Sequence, residues 1–392
     1  MRELDVVKMF GKPPKIDYEE HNKEVKEVWD SYNAGSPVRM PLLLTSGVRI
    51  ILCNPALNPD GITFEQYSTD IDMMMQVQLA YQYYLRHFCM YDAAMGDEQD
   101  YNVFVDFQNY YDAAWFGAPV YYPEGNVPCS KPLLSDDNKH DIFNHKPDVW
   151  NAFMQKNIRY GDYMAEKCEN MTYHGAKVKF AGVSLLGTDG PMTVACSIRG
   201  TTGFCIDLYE DTEYALKLLD FVTDATIERI VALRVKYNHD IPEGFFFADD
   251  CIAMLSKADY IEYILPRHKR LAAASSTLKQ PGFVHLCGDA QRHFKTLRDE
   301  LNICSFDTGY PINYTKLYAE LGGDIKVRGG VRAGILQSAT LQEVAAETHR
   351  IIEEVKPLTK FFTMGEANDL SPCTPPENIA AMYKVVREYG RY

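Results

Sequence analysis

The sequence lacks the features that mark several large classes of protein. It has no Lys/Arg-rich tract, and 40 basic against 54 acidic residues leave a net charge of −14. That is the wrong sign for an electrostatic grip on nucleic acid. It has no long apolar run, since stretches such as MPLLL (40–44) fall far short of the roughly 20 residues that span a bilayer. The first twenty residues, MRELDVVKMFGKPPKIDYEE, lack the apolar segment of a secretory signal. The expectation is a cytoplasmic protein with neither nucleic acid nor membrane as a partner. It also lacks a tight cysteine framework. Ten cysteines are spread from Cys53 to Cys373, and without a secretory signal that pattern favours free thiols or metal ligands over disulfides. The two sequons at Asn170 and Asn313 would matter only in a secreted chain. With no repeat, low-complexity stretch or linker, residues 1–392 read as a single domain.

What is present is an alternation. Eight short apolar stretches, at 38–44, 102–107, 178–186, 244–250, 282–289, 303–308, 325–331 and 361–366, read as strands. Amphipathic stretches at 17–33, 211–237, 258–276 and 340–355 carry apolar residues at helical spacing. Thr340 with Glu343 reads as a capping box. Strands alternating with helices imply a parallel sheet, and eight such units imply an α/β fold, a single (β/α)8 TIM barrel. Residues 1–37 would form an N-terminal helical extension.

Barrel active sites are built where the strands end. The strand FVHLCGD (283–289) ends on His285 and Cys287, whose side chains share one face because a strand alternates with period two. Val284, Leu286 and Phe283 are assigned to packing. Asp249, Asp250, Asp307 and the Gly365–Glu366 pair fall at other strand ends. A catalytic zinc takes three N, S or O ligands and keeps a fourth position open. Cys373, in a Pro-rich loop after the last strand, offers a third. Spacing alone leaves a second reading open, in which His285 hydrogen-bonds a carboxylate and Cys287 and Cys373 pack as small hydrophobes.

Four stretches resemble the uroporphyrinogen decarboxylase superfamily, and within it the zinc-dependent corrinoid methyltransferases. They are GTDGPMTVACSIRGTTGFCIDLYEDTE (187–213), FFFADDCIAMLSKADYIEYILPRHKRL (245–271), HLCGD (285–289) and SPCTPPENIAAM (371–382). The resemblance implies Zn2+ on His285, Cys287 and Cys373, and a corrinoid (cobalamin) carried by a partner protein. Asp249, Asp250, Asp307 and Glu366 would then supply proton transfer, orientation of His285 or a further ligand. Where the decarboxylases carry an arginine-rich N-terminal segment, the corresponding RMPLLLTSGVRIIL (39–52) has only Arg39 and Arg49, which disfavours a porphyrinogen substrate. Arg328 and Arg332, in RGGVRAG (328–334), are also unexpected; they read as meeting a ligand carboxylate or, the preferred reading, as lying on a solvated turn.

The function expected is methyl transfer from a small methoxylated, aromatic substrate to Co(I), with 48 aromatic residues available to wall a flat pocket. Tyr81, Tyr84, Phe88 and Tyr91 also fit plain core packing. The alternatives are a methylcobamide:thiol methyltransferase and a metal-free lyase, and a homodimer is left open. A purely structural zinc site would need a fourth ligand. Cys304 is the candidate, but it begins its strand and so faces the opposite end of the barrel from Cys287.

Overall fold

The structure is a computed structural model that describes residues 4–183 and 187–392. Seven of the eight expected strands form: β1 (Tyr101–Val103), β2 (Ala176–Phe180), β3 (Phe246–Ala248), β4 (Gly282–Leu286), β5 (Ile303–Thr308), β6 (Lys326–Arg332) and β7 (Phe362–Ala367). The end of the stretch expected at 178–186 lies outside the described residues. The expected first strand, 38–44, is replaced by a single parallel bridge from Leu42 to Met364 in β7. Pro41 lacks the N–H that a continuous ladder would use, though its carbonyl accepts from Met364 N at 2.8 Å.

Strands β3 to β7 form one parallel sheet in the order β7-β6-β5-β4-β3, and β1 pairs with β2 in parallel. Among the described residues the continuous ladders do not close a ring. A bridge from Asp189 to Ala248 joins the segment after β2 to β3. On the other side, Asp92 N donates to the Leu42 carbonyl at 2.8 Å. In β4, Val284 and Leu286 are fully buried beneath the helices, while Phe283 and His285 point the other way into the interior cavity.

The helices form where the apolar spacing places them, at Tyr18–Asn33, Thr212–Tyr237 and Leu341–Val355; the stretch expected at 258–276 is broken by a π-helical turn, Tyr260–Ile264, before Leu265–Ser275. The Thr340–Glu343 capping box is present in both directions. The N-terminal part holds a short helix, Val6–Phe10, ahead of Tyr18–Asn33. Arg39 anchors this part: it is 2% exposed and bonds both oxygens of Asp92 at 2.6 and 2.7 Å, and Glu24 at 3.0 Å. A buried guanidinium needs such a bidentate partner to offset its desolvation.

The glycine pair in RGGVRAG has a steric cause. Gly330 has φ +150°, and a Cβ there would collide with the backbone carbonyl of Gly365 in the neighbouring β7. At Gly329 a Cβ would overlap Tyr314 Oη and meet Thr308 Oγ1 at 2.9 Å. Gly330→Ala is expected to cost about 3 kcal/mol through overpacking and backbone strain. For a chain of this length that lowers Tm by about 4 °C, read by differential scanning calorimetry; an unchanged Tm would contradict the close β6–β7 approach.

Candidate metal centre

The pairing register builds the site. His285 in β4 is opposite Asp307 in β5, and Asp307 is opposite Arg328 in β6. Parallel strands lie about 4.8 Å apart, so three residues distant in sequence become one row on the interior face. His285 Nδ1 lies 2.8 Å from Asp307 Oδ2. That hydrogen bond to a carboxylate fixes the ring and leaves Nε2 free to face the cavity. Asp250, which opens the turn after β3, accepts from the Cys287 backbone N–H at 2.7 Å through Oδ1 and sits 4.0 Å from His285 Nε2. Ligand atoms of Asp250, His285 and Cys287 all lie within 4.8 Å of one another. Bonds of 2.0–2.3 Å in a tetrahedral shell place ligands about 3.5 Å apart, so a modest contraction brings all three onto one zinc.

The electrostatics suit a cation. Burial alone lowers the His285 pKa, but the Asp307 hydrogen bond and the charges of Asp307 and Asp250 outweigh it and leave it raised. Burial pushes the Cys287 thiol up to about 12, and the nearby Asp250 carboxylate adds to the rise. Without a cation the site holds surplus negative charge and a thiol that resists ionisation; a divalent ion reverses both conditions. Asp307 Oδ1 is buried with no hydrogen-bond partner, a further sign of incomplete compensation.

The other expected residues separate into distinct roles. Glu366 does not line the cavity. It is buried against Arg328 at 3.0 Å and accepts from Thr45 N at 2.8 Å. Burial raises its pKa to about 8 despite Arg328. Arg328 is therefore inside the protein rather than on a solvated turn, where it lies 3.9 Å from Asp307. Arg332 is the exposed one, stacked over Tyr310. Asp249 is fully buried and also off the cavity. Its Oδ1 accepts from Thr193 N and Oγ1, and its Oδ2 from Met192 N, while His268 Nε2 lies 2.8 Å from Oδ2. It caps the unsatisfied N–H groups of helix Pro191–Arg199, so its place is in the scaffold rather than among the reacting groups. Cys373 does not join His285 and Cys287. It is exposed, with φ +64°, and its Sγ lies 3.9 Å from the Cys53 carbonyl. Cys304 is second in β5, after Ile303, which pairs with Gly282, and so lies at the opposite end from Cys287.

The site opens into a cavity of about 810 Å³. Phe283 is the one Phe, Tyr or Trp among its described lining residues, and it stands on the face of His285 rather than in the packing layer. The remainder mixes polar residues, among them Asn109, Ser130 and Thr193, with the apolar Val127, Pro132 and Ala248. The aromatic-rich stretches go elsewhere: Tyr84 and Phe88 pack on Phe10, and Phe107 and Tyr110 pack on Phe153. Three features were not singled out from the sequence. Arg49 pairs with Asp369 at the cavity wall. Asp189 lines the cavity with its carboxyl pKa raised by burial and by Asp112, Asp250 and Asp249. Beneath it, Arg229 and Asp112 form a buried 2.6 Å pair. Asp189 lies in the stretch 187–213 that carries part of the family resemblance.

A family model for uroporphyrinogen decarboxylase (URO-D) matches residues 33–389. The chain belongs to the URO-D family. Among curated URO-D relatives, a methylated-thiol–coenzyme M methyltransferase of Methanosarcina mazei is 28% identical over 202 residues, covering 50% of this chain and 51% of that protein. A uroporphyrinogen decarboxylase of Rickettsia bellii is 23% identical over 216 residues, covering 53% and 61%. The chain thus spans about half to three fifths of the curated relatives it matches. A solved methyltransferase from Methanosarcina mazei superposes with a TM-score of 0.62 at 16% identity, over 93% of this chain and 98% of the other, which shows the shared fold. No helix among the described residues is long and apolar enough to cross a membrane.

In this URO-D chain Arg39 is occupied by Asp92 and Glu24, and Arg49 by Asp369. Neither offers a free cation to a porphyrinogen carboxylate. Asp307→Asn is expected to weaken zinc binding 10- to 100-fold with the fold intact, the usual effect of losing the carboxylate behind a histidine ligand. Zinc competition titration with far-UV circular dichroism checks this; undiminished affinity would remove Asp307 from the account.

Proposed function

We propose that the chain is a zinc-dependent methyltransferase, moving a methyl group between a small substrate in this cavity and the cobalt of a corrinoid carried by a partner protein. The observation that carries the reading is the row His285–Asp307–Arg328, which aims a carboxylate-held imidazole at Cys287 and Asp250. We infer a single domain closed as a (β/α)8 ring through the bridges at Leu42 and Asp189. Zinc would be held by His285, Cys287 and Cys373, the last reaching the site by a shift of the 368–374 loop, whose residues Asn368 and Asp369 already line the cavity. Asp250 then keeps its place on the Cys287 amide.

Bound there, zinc supplies a Lewis acid that ionises a thiol or polarises an ether oxygen. The chain's own groups do the rest. Asp307 keeps the His285 ring in one orientation. Arg328, itself held by Glu366, stands 3.9 Å behind Asp307. Asp189, its carboxyl pKa raised by burial and by Asp112, Asp250 and Asp249, faces the substrate from the cavity wall. The Arg49–Asp369 pair sits at the wall where Cys373 must approach.

A lining with one aromatic ring, Phe283, favours a small thiol or thioether over a flat methoxyarene, and the curated relative named for methylated thiols supports the same choice. Demethylation of a methoxylated aromatic substrate is the second reading, resting on the 48 aromatic residues of the sequence. The test incubates zinc-loaded protein with methyl-cobalt corrinoid and small thiols, and in parallel with Co(I) corrinoid and methoxyaryl compounds. Thiol-dependent loss of the methyl-cobalt absorbance, at least tenfold faster than any methoxyaryl reaction, is the expected result. Methoxyaryl turnover alone would reverse the choice, and no reaction in either direction would overturn the function.

A further inference from the structure

The cavity carries a charge and hydrogen-bond pattern that a metal alone does not absorb. Four carboxylates, Asp189, Asp250, Asp307 and Asp369, are among its described lining residues, and Arg49 is the one lysine or arginine there. Arg49 is already paired with Asp369, and Arg328, behind the wall, is held by Glu366 at 3.0 Å. Zinc leaves the remainder in place. Its charge is offset by two thiolates, or by one thiolate and Asp250, and a substrate thiolate adds a further negative charge. With either ligand set, Asp189, Asp307 and Asp369 stand against Arg49 alone among the lining groups.

Three oxygens on that wall also lack partners. Thr45 Oγ1, Asp307 Oδ1 and Asp369 Oδ1 are buried without a hydrogen bond, and among the described lining residues no other buried side-chain nitrogen or oxygen is in that state. Asp307 as a whole is 5% exposed. The three share one region: Arg328 lies 3.9 Å from Asp307, Glu366 joins Arg328 to the Thr45 N–H, and Leu370 N donates to the Thr45 carbonyl at 2.9 Å, which sets Asp369 beside it. Carboxylate oxygens only accept, and the hydroxyl can accept as well. A buried acceptor is costly until a donor reaches it. The complementary ligand group is a cation with several N–H donors, and a protonated primary amine has three.

We propose that the cavity selects an aminothiol: a small thiol, or its S-methyl thioether, whose sulfur meets the zinc and whose protonated amine is held by Asp307 and Asp369 with Thr45. The inference rests on the thiol reading of the proposed function and adds the substrate class and the residues that choose it. An anionic tail is rejected on the same wall, because it meets carboxylates while both nearby guanidinium groups are engaged. Separately, burial leaves the Asp369 carboxyl pKa raised in spite of Arg49, as expected of a carboxylate with too little positive charge around it.

The test reads binding rather than turnover. In cobalt-substituted protein, coordination of a thiolate is followed by its sulfur-to-Co(II) charge-transfer absorbance. The probes are cysteamine, 2-mercaptoethanol and mercaptoacetate, which share a two-carbon chain and end in ammonium, hydroxyl and carboxylate. Affinity should fall in that order, with cysteamine about tenfold or more ahead of 2-mercaptoethanol. Free-thiol acidity also favours cysteamine, so the deciding quantity is the ratio of these two Kd values in wild type against Asp369→Asn, where acidity cancels. The variant loses a carboxylate and frees Arg49, and the ratio should drop about tenfold. In wild type itself, N-acetylcysteamine, uncharged at the same nitrogen, should bind no better than 2-mercaptoethanol, a result that stands whether or not the variant folds. An unchanged ratio, or mercaptoacetate ahead of cysteamine, would overturn the aminothiol and leave a zinc-bound thiol in place. No charge-transfer band with any thiol would remove the thiol reading and this inference with it.

Discussion

His285→Ala should leave less than about a tenth of an equivalent of zinc after purification, where wild type retains one per chain. A protein zinc site in folded peptides binds with roughly 10–16 kcal/mol shared among its ligands, so one ligand is worth about 3 kcal/mol or more, a hundredfold or greater in Kd. The loss should be local. His285 is at a strand end, 27% exposed, and bonds Asp307 alone by side chain, so Tm of the metal-free forms should agree within about 1 °C. Cys287→Ser should behave alike. Cys373→Ser and Asp250→Asn then separate the two ligand sets. If Cys373 moves in, its variant loses the metal and Asp250→Asn keeps it within a few-fold. If the present geometry is final, the order reverses: the third ligand is Asp250, and Cys373 leaves the account.

Asp249→Ala should produce the largest loss of stability. The side chain is fully buried, and both oxygens are committed to His268 and to the start of helix Pro191–Arg199. Removing one partner of such a network strands a buried histidine and two helix N–H groups, at a cost of about 3–5 kcal/mol. At roughly 0.8 kcal/mol per degree for 392 residues, Tm falls by about 4–6 °C. Gly190 shows how closely this pocket fits, since a Cβ there would collide with the Asp249 carboxylate. Zinc content should stay near one per chain in this variant. An unchanged Tm with methyl transfer abolished would restore Asp249 to a reacting role.

The elements that a short window of sequence specifies were legible. Period-two alternation placed His285 and Cys287 on one face, and Thr340 with Glu343 announced a helix start. Seven strands and three of the four helical stretches followed from apolar spacing. What depended on register was not legible. His285, Asp307 and Arg328 share a row only because β4, β5 and β6 pair as they do, and no local pattern specifies that pairing. The same blindness put Arg328 on a solvated turn. Adjacent carboxylates were a second difficulty: Asp249 and Asp250 differ by one position, and where β3 gives way to a turn the first faces the helix and the second the cavity. Aromatic density misled because it measures core volume as readily as a binding wall, and here the Tyr- and Phe-rich stretches fill the packing layers. Cys373 lies on a loop, where spacing says least about position.

The most direct test of the account is X-ray absorption at the zinc edge of the purified protein, prepared without chelators. The account predicts one zinc per chain with two sulfur neighbours at about 2.3 Å and nitrogen or oxygen neighbours at about 2.0–2.2 Å, the sulfurs being those of Cys287 and Cys373. A single sulfur would replace Cys373 by Asp250. A metal-free protein, or a zinc with no sulfur neighbour, would contradict the zinc-dependent methyltransferase itself.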